Sequence, residues 1–140
     1  MWFAPLLLGG AQLQSGAAIT RPNSDITVTG WVGDPDNTNL YANIDETAYD
    51  DADLIRSPSL SASPGPAIFG LTQSLSTGTY NVRTRARRTG TSGQIRALLL
   101  DSGGTTVGTG SWQSLTASFT TYNLSVTTTG TAARVRLEVQ

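Results

Sequence analysis

Residues 80–87, YNVRTRAR, settle the fold class. Tyr80, Val82, Thr84 and Ala86 share one phase of a two-residue period, and Asn81, Arg83, Arg85 and Arg87 share the other. Successive side chains of a β-strand point to opposite faces, so this stretch reads as a strand with one face buried and one face wet. The same pattern recurs outward from it. In 94–101, QIRALLLD, Ile95, Ala97 and Leu99 point in and Arg96 points out. In 132–139, AARVRLEV, Ala133, Val135, Leu137 and Val139 go one way and Arg134, Arg136 and Glu138 the other. Upstream, DITVTGWV (25–32) turns Ile26, Val28 and, past Gly30, Trp31 inward, and NLYANID (39–45) does so with Leu40, Ala42 and Ile44. Between Phe119 and Tyr122 the phase slips: Ala117 and Phe119 are expected inward before it, and Tyr122, Leu124 and Val126 after it. A bulge near Thr120–Thr121 would reconcile the two.

Glycine- and proline-bearing turns punctuate these segments: DPDN (34–37), SPGP (63–66), STGT (76–79), TGTSG (89–93), DSGG (101–104) and TTGT (128–131). Such turns supply the φ values that tight connections need. The expectation is an all-β protein, an antiparallel β-sandwich of jelly-roll form with about eight strands. An extended N-terminal arm precedes it, which divides the chain into an apolar docking arm and hinge at 1–18 and a β-sandwich domain at 19–140.

Composition narrows the chemistry. The 140 residues contain no cysteine and no histidine, and all nine cations are arginine. Disulfides, zinc–thiolate sites, thiol nucleophiles, imidazole bases and Schiff-base lysines are thereby excluded. Carboxylates, hydroxyls and arginines remain, so no enzyme activity and no cofactor are expected. A net charge of −1 gives no bulk attraction to nucleic acid or to an anionic membrane, and neither is expected as a partner.

Three groups of residues are candidates for contact. The first is the start of the chain, where Trp2, Phe3, Pro5, Leu6, Leu7 and Leu8 form an apolar run. Pro5 and the lack of a preceding Lys or Arg argue against a secretory signal, and the run is far short of the roughly 20 apolar residues that span a bilayer. It reads as a partner-docking arm joined by a small-residue hinge at 12–18; the other reading is an edge strand, or a plug at the base of its own sandwich. The second group is acidic: Asp45, Glu46, Asp50, Asp51 and Asp53. Asp50, Asp51 and Asp53 are candidate calcium ligands, but the stretch lacks the D-x-[DN]-x-[DN]-G spacing of a calcium loop. No metal is assigned. The favoured reading is a solvated lip, with Ile44 and Leu54–Ile55 dropping into the core and the carboxylates facing water or a partner. The third group is the arginines. Arg83, Arg85 and Arg87, with Arg134 and Arg136, would form one outer stripe if their strands are neighbours, suited to an acidic surface such as the lip of a second copy. Trp31, Trp112, Phe69, Phe119, Tyr80 and Tyr122 are expected mostly in the core, not on a sugar-stacking platform.

The series RPNSDITVTGW (21–31), LYANIDE (40–46), DDADLIRSP (51–58), YNVRTRAR (80–87) and ARVRLEV (133–139) resembles a small β-sandwich domain of tailed-bacteriophage structural proteins. The shape also resembles galactose-binding-like jelly rolls. The resemblance implies a non-enzymatic virion component located in the particle, assembled in the host cytoplasm. Its role would be capsid decoration, or that of a neck, tail or fibre accessory, attached to other virion proteins through the arm and forming a homo-oligomer. The alternative is a carbohydrate-binding module of a phage adhesin or a secreted enzyme, with a glycan as its ligand.

Overall fold

The computed structural model describes residues 6–15, 18–44, 54–60 and 65–140. Two six-stranded antiparallel sheets pack into a β-sandwich. The strands are β1 Leu6–Ser15, β2 Ala18–Thr20, β3 Pro22–Thr27, β4 Val32–Asp34, β5 Leu54–Arg56, β6 Ala67–Leu75, β7 Gly78–Arg88, β8 Gln94–Leu100, β9 Thr106–Thr109, β10 Gln113–Ser114, β11 Thr120–Thr128 and β12 Ala132–Val139. The first sheet has the order β11-β7-β1-β5-β4, with β2 also paired to β1. The second has the order β10-β8-β12-β6-β3, with β9 also paired to β8. Against an expectation of about eight strands there are twelve, of which seven have six residues or more. Strands β2, β4, β5, β9 and β10 are too short to carry a readable alternation.

One hydrophobic core lies between the sheets. The first sheet contributes Leu8, Leu13, Val82, Ala86, Leu124 and Val126, and the second contributes Phe69, Ile95, Leu99, Val135 and Leu137. Tyr80 and Tyr122 reach the rim of this core and use their hydroxyls there. Tyr80 donates to the Ser76 carbonyl at 2.8 Å, and Tyr122 accepts from the Thr116 N–H at 2.8 Å. Strand β9 closes one side of the sandwich against β11. A Cβ at Gly108 would stand 2.6 Å from the Thr127 carbonyl oxygen, so only glycine allows this approach.

The N-terminal segment departs from the docking-arm expectation. Strand β1 is an interior strand, paired with β7 along one side and with β5 and β2 along the other. Leu8, Ala11 and Leu13 are fully buried, so the expected hinge at 12–18 runs as strand up to Ser15. The glycine pair Gly9–Gly10 explains how. Between Leu8 and Ala11 the register against β7 shifts by one residue, and Gly10 takes φ 134°. The bulge leaves two backbone groups to satisfy. The Thr84 hydroxyl donates to the Gly10 carbonyl at 2.6 Å, and the Ala11 N–H donates to the Ile44 carbonyl at 2.8 Å. The glycines therefore bend the strand without ending it.

Two further sequence expectations change. NLYANID forms a 3-10 turn, Leu40–Asn43, because the Asp25 carboxylate accepts the N–H groups of Leu40 (2.7 Å) and Tyr41 (2.8 Å) and holds the chain coiled. Leu40 and Ile44 are buried as expected, whereas Ala42 is exposed. Near residue 120 the phase slip is no bulge. Strand β11 starts at Thr120 and keeps one register with β7 to Thr128, so Phe119 precedes the strand and escapes its alternation. The expected inward Ile26 is 43% exposed, because β3 shifts register twice against β6.

Candidate functional site

The five outward arginines do not form one stripe. Strand β7 is central in the first sheet and β12 is central in the second, so Arg83, Arg85 and Arg87 face away from Arg134 and Arg136. The two faces differ in what surrounds the charges.

On the first face the neighbours across the ladder are uncharged. Arg83 lies between Asn123 and Gln12, and Arg85 lies opposite Thr121. The Phe119 ring covers two of the three, with the guanidinium carbons of Arg85 and Arg87 at 5.8 and 5.2 Å from its centroid. Phe119, expected in the core, is instead the outer lid of this arginine row. Quadrupole attraction and desolvated aliphatic stems hold such a stack.

On the second face the ladder brings together unlike groups. Glu138 on β12 lies directly opposite Arg96 on β8, and Arg136 lies two residues earlier on the same side of β12. One oxygen of the Glu138 carboxylate accepts from the Nε–H and a terminal N–H of Arg96, each at 2.6 Å, and the other accepts from Arg136. The three side chains are between 15% and 33% exposed, so the triad is half-sheltered and fixed in place. The Arg136 Nε–H is buried and meets no acceptor among the described residues. Trp112, in the connection before β10, lays its ring on Arg96 at 4.5 Å. Farther along, Arg134 donates to the Ser102 carbonyl and lies outside the triad.

These residues border a groove of about 340 Å³, lined by Trp112, Arg136 and Glu138 with Leu60, Pro66 and the chain end at Val139–Gln140. That volume is at the lower end of small-molecule sites, roughly 300–1,000 Å³. The groove offers an aromatic ring from the connection before β10, with planar N–H donors and a carboxylate seated on β12. It can take a small polar ligand that has one apolar face and an edge of hydroxyl or carboxylate groups.

The other candidates fall elsewhere. Asp45, Glu46, Asp50, Asp51 and Asp53 lie outside the described residues, and with them the calcium question. Of the residues expected in the core beside that stretch, Ile44 and Ile55 are fully buried and Leu54 is partly buried. Among the described residues no three carboxylates come together in a way that could hold a metal ion. Several described carboxylates are bound locally. Asp25 caps the 3-10 turn; Asp36 accepts from the N–H groups of Thr38 (2.7 Å) and Asn39 (3.2 Å); Asp101 accepts from Gly103 and Thr105, each at 2.9 Å. Backbone donation lowers the pKa of Asp36, chiefly through Thr38, and that of Asp101, chiefly through Thr105. Of the expected docking residues, Trp2, Phe3 and Pro5 lie outside the described residues, and Leu6 and Leu7 are described by their backbone pairing in β1 alone. Leu8 is fully buried in its own sandwich. Among the described residues no helix is long and apolar enough to cross a membrane.

Sequence reasoning assigned Arg136 to the wrong company and left Arg96, Glu138 and Trp112 outside the site. The signal lay in two outward positions of opposite sign, Arg96 and Glu138, but only the strand order shows that they are opposite each other. Compared with known proteins, the chain matches no family model, no curated protein and no solved structure.

Proposed function

We propose that the chain is a non-enzymatic recognition module that binds carbohydrate in the Trp112 groove. The observation that carries this reading is a partly buried indole held beside the Arg96–Glu138–Arg136 triad, in a groove of sugar-sized dimensions. A pyranose has an apolar C–H face that packs on an indole and a rim of vicinal hydroxyls that pair with planar guanidinium and carboxylate groups. Because the ion pairs fix all three charged side chains before the ligand arrives, little side-chain entropy is lost on binding. Support for the non-enzymatic part is the residue set itself, which has no His, Cys or Lys, together with the engagement of Glu138 by two cations.

The resemblance to phage sandwich domains supports placing the module on a virion, as part of an adhesin or a decorating protein. An assembly role has one structural foothold of its own. Ile26 and Val32, 43% and 40% exposed, lie on β3 and β4, the end strands of their sheets, where a second copy would cover them. Light scattering tests this second reading: a discrete oligomer that Ile26→Lys with Val32→Lys converts to a monomer supports it, and a monomeric parent protein ends it.

A glycan array probed with the purified chain, beside its Trp112→Ala variant, tests the main reading. Saccharide binding that is lost in the variant is the expected result. Binding of no saccharide, or equal binding by the variant, would sink it.

A further inference from the structure

A second hollow, of about 360 Å³, is bordered by Arg88, Thr91, Ser92, Gln94 and Ser114. The divide between the two is one pair of residues. Gln140 and Gln94 exchange backbone hydrogen bonds at 2.8 and 3.1 Å, and the Gln140 amide donates to the Gln94 amide oxygen at 2.7 Å. Leu60, a wall of the first hollow, stands 3.4 Å from where a Cβ on Gly93 would lie in the second. The two hollows therefore adjoin across this glutamine pair, whose amide groups offer hydrogen bonds to a chain that crosses it.

Their charge is one-sided. Arg136 lines the first hollow with Arg96 behind its indole, and Arg88 lines the second, against the single carboxylate of Glu138. Arg88 is held in position, since its Nε–H donates to the Leu115 carbonyl at 2.9 Å and a terminal N–H donates to the Gly90 carbonyl. Thr91 and Ser92, both exposed, and Ser114 place hydroxyls beside it. In a chain of net charge −1 this is a local cation excess, as is the Arg83–Arg85–Arg87 row of the other sheet.

Resting on the carbohydrate reading above, we infer that the two hollows are consecutive subsites for one linear acidic oligosaccharide. A sugar unit stacks at Trp112 and pairs with Arg136, the chain crosses the Gln94–Gln140 ridge, and a carboxylate of a later unit reaches Arg88. Linked subsites raise affinity with chain length until both are filled, because the second contact is intramolecular.

The test is calorimetric titration with oligogalacturonates from di- to hexasaccharide, and with neutral galactan oligosaccharides of the same lengths. Affinity for the acidic series should rise by roughly tenfold or more with length and then level off. Arg88→Gln should remove that rise while leaving disaccharide affinity unchanged. Ser92→Asp, at an exposed position, should do the same if Arg88→Gln fails to fold. Equal affinity for di- and hexasaccharide, or a rise that survives both variants, would overturn the two-subsite inference while the carbohydrate reading stands. Neutral oligosaccharides binding as tightly as acidic ones would overturn the acidic class. Oligothymidylate binding as tightly as the hexagalacturonate would overturn the saccharide. If no oligosaccharide of either series binds and none on the array does, the module reading falls as well.

Discussion

Strands β7 and β12 each run through the middle of a sheet and turn alternate arginines outward, yet the two faces they build have different uses. Around β7 the flanking strands present Asn123, Thr121 and Gln12, and Phe119 closes over the cations. Around β12 the facing strand presents Arg96, β12 itself supplies Glu138, and Trp112 stands beside the resulting triad with a groove open at its side. The same R-x-R device thus makes a covered row in one sheet and a preorganised, accessible cluster in the other. What differs is the partner across the ladder, since directly opposed side chains share a face and are within reach of one another.

The sharpest way to break the comparison is to remove what both faces stand on. Leu13→Ala empties a fully buried position in the interior strand β1, and a cost of about 2–5 kcal/mol is expected in urea denaturation. Deleting residues 1–16 takes that strand away, and no cooperative unfolding transition should remain. A truncated chain that still folds would restore the docking-arm reading of the N-terminus.

The next effect should separate the faces. Glu138→Gln leaves Arg96 and Arg136 half-sheltered without their shared anion, and a loss of about 1.5–3 kcal/mol is expected, together with loss of glycan binding. Arg85→Gln, on the covered face, should leave glycan binding intact. Binding that survives Glu138→Gln but not Arg85→Gln would assign the site to the wrong sheet. A smaller change is expected from Phe119→Ala, about 0.5–2 kcal/mol from the lost contacts with Arg85 and Arg87, again with binding unchanged.

The smallest effect is one of pH and belongs to neither face. Asp101 holds the turn that leads into β9, and its carboxyl lies below the ordinary value of 3.8 because Thr105 and Gly103 donate to its charged form. A depressed folded pKa adds stability that is complete above 3.8 and is lost as pH falls through the lower folded value. Asp101→Asn should therefore flatten the acid limb of the stability–pH curve below 3.8 and leave its shape above that unchanged. An acid limb identical to the parent's would show that this turn does not contribute.

Much of this architecture was legible in the sequence, for reasons tied to particular residues. Val82, Ala86, Ile95, Leu99, Val135 and Leu137 lie on the expected inward phase and form the core, because a long strand with one wet face must alternate. Periodicity carries no information on strand order, so it could not tell that β7 and β12 lie in opposite sheets, or that Arg96 faces Glu138. Local chemistry misled in two places. The small-residue stretch 12–18 reads as a hinge, yet β1 continues to Ser15 paired with β7 and β2, its Gly9–Gly10 bulge satisfied by Thr84 and Ile44. Leu40, Ala42 and Ile44 alternate as a strand would, yet Asp25, 15 residues from Leu40 in sequence, caps them into a turn. Both outcomes depend on groups distant along the chain, which a local pattern does not contain. Trp112, expected in the core with most of the aromatics, lies partly buried outside any strand and lines the groove.

The most direct test follows the indole N–H signals of the three tryptophans by NMR during titration with hexagalacturonate. A Trp112→Phe variant identifies the Trp112 signal, and the Trp31 indole, buried and bonded to the Gly65 carbonyl at 2.9 Å, serves as the internal reference. The account predicts a saturable shift of the Trp112 signal and a stationary Trp31 signal. A Trp112 signal that stays fixed while ligand binds, or while every saccharide fails to bind, would contradict it.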